Sequence, residues 1–395
     1  MFTIYSLKNG LDNVTGFSSS GVKAGLKKDG YDVGFIYSDT PCDVVALFTQ
    51  NRFQAAPLKH FKKYGDDFQT NFVLVNSKNA NAMTMAEGIE DIEEILEHAK
   101  SKYPDIQNPI MSSTGVIGVR LPKEKIKAGI EQFNIKEKNS ELFSQAIMTT
   151  DKFQKVIAYE VVLDNGEKFH IAGVAKGAGM INPSMATMLC FITTDADIPK
   201  ADMSELLKEH NESTFNAVSV DGDTSTNDSL FLLANRASGV YNKEAFSIAL
   251  KQILEFLSIE VLRDGEGSTK VVAFEVKGAK DVADAEKIAK TLSNSLLIKT
   301  ALFGQDPNWG RIAMGIGASG AESDETKLTI AFEDVLLYEN GKNLFDEVVE
   351  EKAYKVMSKE QFKIICDLGI GDGSFTAYGC DLGYEYVKIN ADYRT

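Results

Sequence analysis

Residues 155–194 read KVIAYEVVLDNGEKFHIAGVAKGAGMINPSMATMLCFITT. Two β-rich runs, Lys155–Leu163 and Lys168–Val174, flank the tripeptide Asp164-Asn165-Gly166. Asn-Gly readily takes the positive φ that a type I′ turn requires, so the two runs predict a β-hairpin. Met188–Thr193 is short and apolar, which predicts a third, buried strand. This stretch therefore predicts a sheet built at least partly from antiparallel neighbours.

Strand-like and helix-like segments alternate along the rest of the chain. Apolar runs predict strands at Val44–Phe48, Phe72–Val75, Lys270–Val276 and Leu328–Leu337, and Val387 and Ile389 share one side of a further strand pattern. Apolar residues at helical spacing predict helices around Ile89–Leu96, Met203–His210, Phe246–Leu262, Val282–Leu292 and Leu344–Val349, with Asp281 as an N-cap. Hairpins mixed with helices favour an α+β fold of layered sheets with flanking helices over a doubly wound parallel sheet.

Composition excludes several classes of protein. The 395 residues carry a formal net charge of −15, which disfavours nucleic-acid binding because phosphates require clustered Lys and Arg. The four cysteines are isolated and lack the spacing of a zinc site or a disulfide framework. The first residues have no signal-peptide pattern, and no apolar run approaches the roughly 20 residues of a membrane span. We expect a cytoplasmic enzyme or binding protein.

Common catalytic motifs are missing from the sequence. Gly177 and Gly179 begin a dinucleotide-binding pattern, but Asn182 stands where its third glycine belongs. No phosphate-binding Gly-Lys-Ser/Thr, no Gly-x-Ser-x-Gly and no His-Glu-x-x-His occurs. A threonine made N-terminal by cleavage would need no histidine, because its own α-amine titrates near pKa ~7.7–8.0 and can serve as general base. Local patterns alone do not select one threonine.

The acidic segment Asp221–Asp228 admits three interpretations. Asp221 and Asp223 follow a strand-like run, as the aspartate pair of metal-dependent phosphatases does, but Ser225 stands where that motif has Thr or Val. A calcium loop is disfavoured because Thr226 and Leu232 occupy the positions that require Gly and Glu. A structural loop held by hydrogen bonds is the favoured interpretation.

Seven ordered blocks of the sequence form a pattern that is far more specific than any single motif. The central block contains Lys176-Gly177-Ala178-Gly179-Met180 and ends in Met185-Ala186-Thr187-Met188-Leu189. The blocks span nearly the whole chain: Met111–Gly118, Met148–Asp151, Lys176–Leu189, Asp221–Asp228, Asp264–Gly267, Asp306–Arg311 and Asn390–Thr395. In their order and number these blocks resemble the ornithine acetyltransferases, the glutamate N-acetyltransferases of the cyclic arginine pathway.

The resemblance implies a precursor that cleaves itself between Ala186 and Thr187. The products would be an N-terminal fragment, 1–186, and a C-terminal fragment, 187–395, intertwined in one body like that of the N-terminal-nucleophile enzymes. Two copies of each fragment would assemble. Thr187 would be the nucleophile and, through its free amine, the general base, while Thr114 and Gly115 would form the oxyanion hole.

The same resemblance implies transfer of an acetyl group from N2-acetyl-L-ornithine to L-glutamate through an acetyl-threonine. Positions that match the substrate contacts of the family are Thr150, Lys176, Thr187, Glu266, Asn390 and Thr395. No metal ion and no cofactor is implied, and no nucleic-acid or membrane partner. Some members also accept acetyl-CoA as donor, so acetyl-CoA stays open as a co-substrate.

Two further hypotheses stay open besides the phosphatase. A hydrolase on the same scaffold would use the same nucleophile but pass the acyl group to water. A non-enzymatic amino-acid-binding protein would explain the polar loops and the lack of a histidine-based triad.

Overall fold

The computed structural model describes residues 1–182 and 188–392. The strands are β1 Phe2–Leu7, β2 Phe17–Val22, β3 Val33–Phe48, β4 Gln69–Asn76, β5 Ile110–Ser113, β6 Lys155–Leu163, β7 Lys168–Lys176, β8 Leu189–Thr194, β9 Val218–Ser219, β10 Ser229–Ala234, β11 Val271–Ala279, β12 Thr329–Phe332, β13 Val335–Glu339, β14 Lys342–Asn343, β15 Gln361–Asp367 and β16 Gly373–Cys380. The helices are α1 Ala56–Phe61, α2 Met85–Lys102, α3 Lys123–Glu131, α4 Ser140–Ile147, α5 Lys200–Glu212, α6 Lys243–Arg263, α7 Val282–Asn294, α8 Leu296–Gly304, α9 Trp309–Ala318, α10 Glu347–Met357 and α11 Tyr384–Asp392.

The first sheet contains the predicted hairpin. Its strand order is β1-β6-β7-β8-β10-β3-β4-β5, and β2 also pairs with β3. Strands β6 and β7 are antiparallel, with Val156 opposite Val174, so the hairpin predicted around Asn165-Gly166 is confirmed. Strand β8 is antiparallel to β7 on one side and parallel to β10 on the other, so it lies inside the sheet.

Both faces of this sheet are covered, because side chains alternate between two cores. On one face Ile171 and Ile192 pack with α6, the long helix predicted around Phe246–Leu262. On the other face Ala172, Val174 and Phe191 pack with α4. Period-two alternation with apolar residues on both sides is what a sheet buried between helices requires.

The second sheet has the order β14-β13-β12-β15-β11-β16-β9 and packs against α7. Asp281 caps α7 as predicted, since its carboxylate accepts the Asp284 N–H at 2.9 Å. The single strand predicted at Leu328–Leu337 is wrong: Glu333 takes a φ of +53° and the chain turns there into the hairpin β12–β13. The predicted α+β class, with layered sheets and flanking helices, is confirmed.

The C-terminal strand predicted from Val387 and Ile389 is also wrong, because this segment forms helix α11. Tyr386 and Asn390 are four residues apart, so both lie on one side of the helix. Asn390 donates to the Glu266 carboxylate at 2.7 Å, and Tyr386 donates to Asp221 at 3.3 Å. These polar contacts at helical spacing favour a helix, whereas the alternation of only two apolar residues was a weak signal for a strand.

No helix within residues 1–182 and 188–392 is long and apolar enough to cross a membrane.

A buried ion cluster joins the first sheet to the end of α6. The Lys155 ammonium group lies 2.8 Å from Asp151 and 2.6 Å from Asp264, and all three side chains are fully buried. Burial would raise the pKa of Asp151, but Lys155 and Lys176 hold it at about 2. The two buried carboxylates therefore depend on the Lys155 ammonium group to compensate their charge.

Lys155→Met should destabilise the protein by about 3–5 kcal/mol, because two buried carboxylates lose their counter-ion. Urea unfolding gives the free energy directly. Lys168→Met is the matched control: Lys168 pairs with Glu160 on the exposed side of the same hairpin, so its loss should cost less than about 1 kcal/mol. Equal costs for both variants would contradict the account of the cluster.

Candidate active site

Six residues predicted from sequence line one cavity of about 380 Å³. They come from five separate parts of the chain and comprise Thr114, Gly115, Thr150, Lys176, Glu266 and Asn390. A cavity of this volume is in the range of small-molecule sites. The fold thus brings together residues that are up to 276 positions apart in sequence.

Three further predicted residues, Ala186, Thr187 and Thr395, lie outside the described residues. Met188, the next residue along the chain after Thr187, is described and buried.

One wall of the cavity is formed where β4 and β5 end side by side. The two strands are parallel, with Asn76 opposite Ser113, and Thr114-Gly115 follows directly. Gly115 has a φ of +134°, and a Cβ atom there would lie 2.2 Å from the backbone carbon of Lys78. Only glycine fits so close to another backbone in this conformation. The amide nitrogen of Asn227 ties the wall to the acidic loop, since it donates to Ser113 O at 2.9 Å.

Lys176 is the last residue of β7 and supplies a buried positive charge. Its side chain is only 3% exposed, and its ammonium group donates to the Thr149 hydroxyl at 3.2 Å. Burial lowers the pKa of Lys176, and the carboxylate of Asp151 opposes that shift. Lys176 forms no salt bridge with a carboxylate in the described part of the chain. A buried cation without such a partner is suited to bind an anionic group.

Glu266 supplies the opposite charge. It follows α6, is 7% exposed, and accepts the amide of Asn390 at 2.7 Å. Its carboxyl carbon would lie 2.6 Å from a Cβ on Gly179, so glycine at 179 leaves room for the carboxylate. One cavity therefore carries a buried cation and a buried anion, which suits a ligand with charges of both signs.

The acidic loop supports the structural interpretation rather than the phosphatase. The Asp221 carboxylate accepts the N–H groups of Met180 at 2.7 Å and Ile181 at 2.9 Å, and the hydroxyl of Tyr386 at 3.3 Å. Burial raises the pKa of Asp221. Among the described residues, no group of three or more His, Cys, Asp or Glu is placed to hold a metal ion.

The cavity is also lined by residues to which sequence reasoning gave no role in the site, among them Thr149 and Tyr386. Thr149 lies in one of the matching blocks, directly before the predicted Thr150, so the signal was present. Tyr386 precedes the last block, and only the helical turn of α11 brings it to the cavity.

The chain is similar to several known proteins. Residues 18–395 match the ArgJ family. The arginine biosynthesis bifunctional protein ArgJ of Wolinella succinogenes is 59% identical over 396 residues, covering 100% of both chains. The glutamate N-acetyltransferase of Methanopyrus kandleri is 41% identical, over 94% of this chain and 97% of that protein. The crystal structure of arginine biosynthesis bifunctional protein argJ from Bacillus halodurans is 37% identical with a TM-score of 0.48, over 51% of this chain and 98% of that one.

These matches confirm the predicted class, an acyltransferase enzyme of arginine biosynthesis. The chain belongs to the ArgJ family, which confirms the resemblance found in the sequence blocks.

Gly115→Ala should reduce acetyl transfer by at least about 10²-fold, because its Cβ would displace the wall that carries Thr114. The initial rate of transfer measures the effect. Gly118→Ala is the control, since Gly118 also has a positive φ, +84°, but a Cβ there meets no atom within 4 Å. Comparable losses in both variants would show that backbone strain alone is responsible.

Proposed function

We propose that the protein transfers the acetyl group of N2-acetyl-L-ornithine to L-glutamate, with Thr187 as nucleophile after self-cleavage between Ala186 and Thr187. The observation that carries this proposal is the cavity in which buried Lys176 and Glu266 lie together with Thr114-Gly115. Family membership and the relatives' names support the same reaction.

The proposed cleavage begins with attack of the Thr187 hydroxyl on the Ala186 carbonyl. The Thr187 nitrogen leaves that carbonyl and becomes a free amine, so an ester to the Thr187 oxygen replaces the peptide bond. Water then hydrolyses the ester and frees the hydroxyl.

The sheet explains how fragments 1–186 and 187–395 would stay together. Strands β8 and β10 belong to the second fragment but lie between β7 and β3 of the first. Two ladders, β7–β8 and β3–β10, would therefore cross from one fragment to the other. This interleaving supports the proposed intertwined body of the N-terminal-nucleophile type, and we extend the proposal to an assembly of two copies of each fragment.

Transfer would follow in two half-reactions of a ping-pong cycle. The Thr187 hydroxyl attacks the acetyl carbonyl while its α-amine takes the proton, and the departing ornithine amine then receives that proton. Glutamate attacks the acetyl ester by the reverse route and restores the hydroxyl. The Thr114 hydroxyl and the Gly115 N–H would stabilise the tetrahedral oxyanion, and such a donor typically contributes ~10²–10³ in rate.

The two buried charged residues would bind oppositely charged groups of the substrate. Lys176 would bind the α-carboxylate that N-acetylornithine and glutamate share. Glu266 would bind the side-chain ammonium group, which only the ornithine substrate carries. Thr150 and Asn390 would orient the polar groups of the substrate that lie between its two charged ends. Thr187 and Thr395 are also proposed to contact the substrate.

The nearest alternative is a hydrolase with the same nucleophile, which would release acetate. Quantifying N-acetylglutamate against acetate separates the two, and we expect N-acetylglutamate to dominate when glutamate is present. Replacing N-acetylornithine with acetyl-CoA in the same assay decides whether this chain uses a second donor.

Thr187→Ala should stay a single chain and lose acetyl transfer, because the hydroxyl is the nucleophile of both steps. Thr187→Ser keeps a hydroxyl and should still cleave, to fragments of about 20 and about 23 kDa from the 43.3 kDa chain. Brief incubation with N-acetylornithine should add one acetyl group, about 42 Da, to the C-terminal fragment of the unchanged protein. A transferring enzyme that never carries this adduct would contradict the ping-pong route.

Lys176→Met and Glu266→Gln should affect the two substrates differently. Losing a buried charge partner costs about 2 kcal/mol or more, which corresponds to a rise in KM of about 30-fold. Lys176→Met should raise KM for both substrates, whereas Glu266→Gln should raise it for N-acetylornithine and spare glutamate. Steady-state kinetics with each substrate varied in turn measures this. A Glu266→Gln variant that loses affinity for both substrates equally would contradict the assignment.

A further inference from the structure

The loop Asp221–Asp228 bonds to the chain on both sides of residues 183–187. Upstream, the Asp221 carboxylate accepts the N–H groups of Met180 and Ile181 at 2.7 and 2.9 Å. The backbone at the start of the loop also donates, since the N–H groups of Val220 and Asp221 lie 2.8 and 3.3 Å from Ile181 O. The chain before residue 183 is therefore held by hydrogen bonds that it donates to the Asp221 carboxylate and by hydrogen bonds that Ile181 O accepts.

Downstream, the other end of the loop makes the matching contacts. The Asp228 carboxylate accepts the Met188 N–H at 3.1 Å, and the N–H of Ser229 donates to Met188 O at 3.1 Å. Met188 then leads directly into β8, which is hydrogen-bonded on both edges. Each side of the segment thus forms hydrogen bonds with one carboxylate of the loop and with at least one backbone N–H of the loop or of the residue next to it.

Asp228 is unusual among the carboxylates of this protein. It is 0% exposed, and its Oδ2 atom accepts no hydrogen bond of normal geometry among the described residues, although the Ser225 and Thr49 hydroxyls interact with the carboxylate. Burial raises the pKa of Asp228 well above its usual range, which favours the neutral acid. Its hydrogen bond from the Met188 N–H fixes the position of the backbone directly before β8. Asp228 does not line the cavity, although its neighbour Asn227 does.

We propose that Asp221 and Asp228 form a two-point clamp that positions the chain on either side of the bond between Ala186 and Thr187. The inference rests on the proposed self-cleavage. Both are positioning residues, because they act through Met180, Ile181 and Met188.

The two ends of the clamp differ in what they do after cleavage. Asp221 then holds Met180 and Ile181 near the end of fragment 1–186, a segment to which the proposed transfer assigns no chemical step. Asp228 continues to hold Met188, the neighbour of the new N-terminal threonine. Because a displacement of about 1 Å can cost about 10²-fold in rate, losing Asp228 should slow both cleavage and transfer.

Cleavage is measured on fresh full-length chain from cell-free translation, chased on denaturing gels. Asp221→Ala and Asp228→Ala should each cleave about 10²-fold more slowly than the unchanged chain. In the cleaved fraction, kcat should fall further for Asp228→Ala than for Asp221→Ala, with KM for N-acetylornithine unchanged in Asp228→Ala. Asp228→Asn keeps a neutral acceptor for Met188 and should stay within about tenfold of the unchanged rates.

Two variants separate positioning from loss of folding. Asp195→Asn is the matched control, because Asp195 is equally buried but accepts His170 N–H at the opposite end of β8. It should lower the melting temperature and leave both rates unchanged. If Asp228→Ala does not fold, Asp228→Leu preserves the volume without the acceptor and should show the same slow cleavage.

Each outcome is decisive. Cleavage at the unchanged rate in Asp221→Ala and in a folded Asp228→Ala or Asp228→Leu overturns the clamp and leaves the proposed function standing. An Asp228→Asn variant as slow as Asp228→Ala overturns positioning in favour of proton transfer by Asp228. An unchanged chain that transfers acetyl groups without cleaving overturns the proposed function itself.

Discussion

The hydrogen-bond ladders on the two edges of β8 are the constraint on which the rest of the structure depends. Strand β8 begins two residues after Thr187 and lies between β7 and β10 in the middle of the first sheet. β7 ends at Lys176, one of the cavity residues, so the same pairing fixes the buried cation and the start of β8. A cut before residue 187 would leave these ladders intact, because they join different parts of the chain.

Charge placement gives the cavity its chemical character. Lys176 and Glu266 are both buried. A buried charge without a compensating partner is costly in free energy. The Asp151 carboxylate favours the charged form of Lys176, and Asn390 gives Glu266 a hydrogen-bond donor. A zwitterionic amino acid would supply an anionic partner for Lys176 and a cationic partner for Glu266. Together, these buried charges and the Thr114-Gly115 wall connect the family assignment to a specific ligand class.

Sequence patterns predicted the elements that short-range chemistry controls. They did not predict the elements that contacts with distant residues determine. The hairpin at Asn165-Gly166 and the cap at Asp281 follow from short-range chemistry, and both are confirmed. The turn at Glu333 and the helix at the C-terminus were missed, because an unusual φ and a distant carboxylate determine them. Cavity residues such as Lys176 were found by family blocks, whereas Tyr386 and the contacts of Asp228 require the tertiary structure. The roles of the site residues remain predictions.

N-terminal sequencing of the active enzyme tests the central claim most directly. The preparation is first labelled with N-acetylornithine, so that only working molecules carry the acetyl group. The account predicts two N-termini, Met1 and Thr187, in equal amounts, with the label on the chain that begins at Thr187. Labelled protein with the Ala186–Thr187 bond intact would contradict the account, because Thr187 would then have no free amine to act as its base.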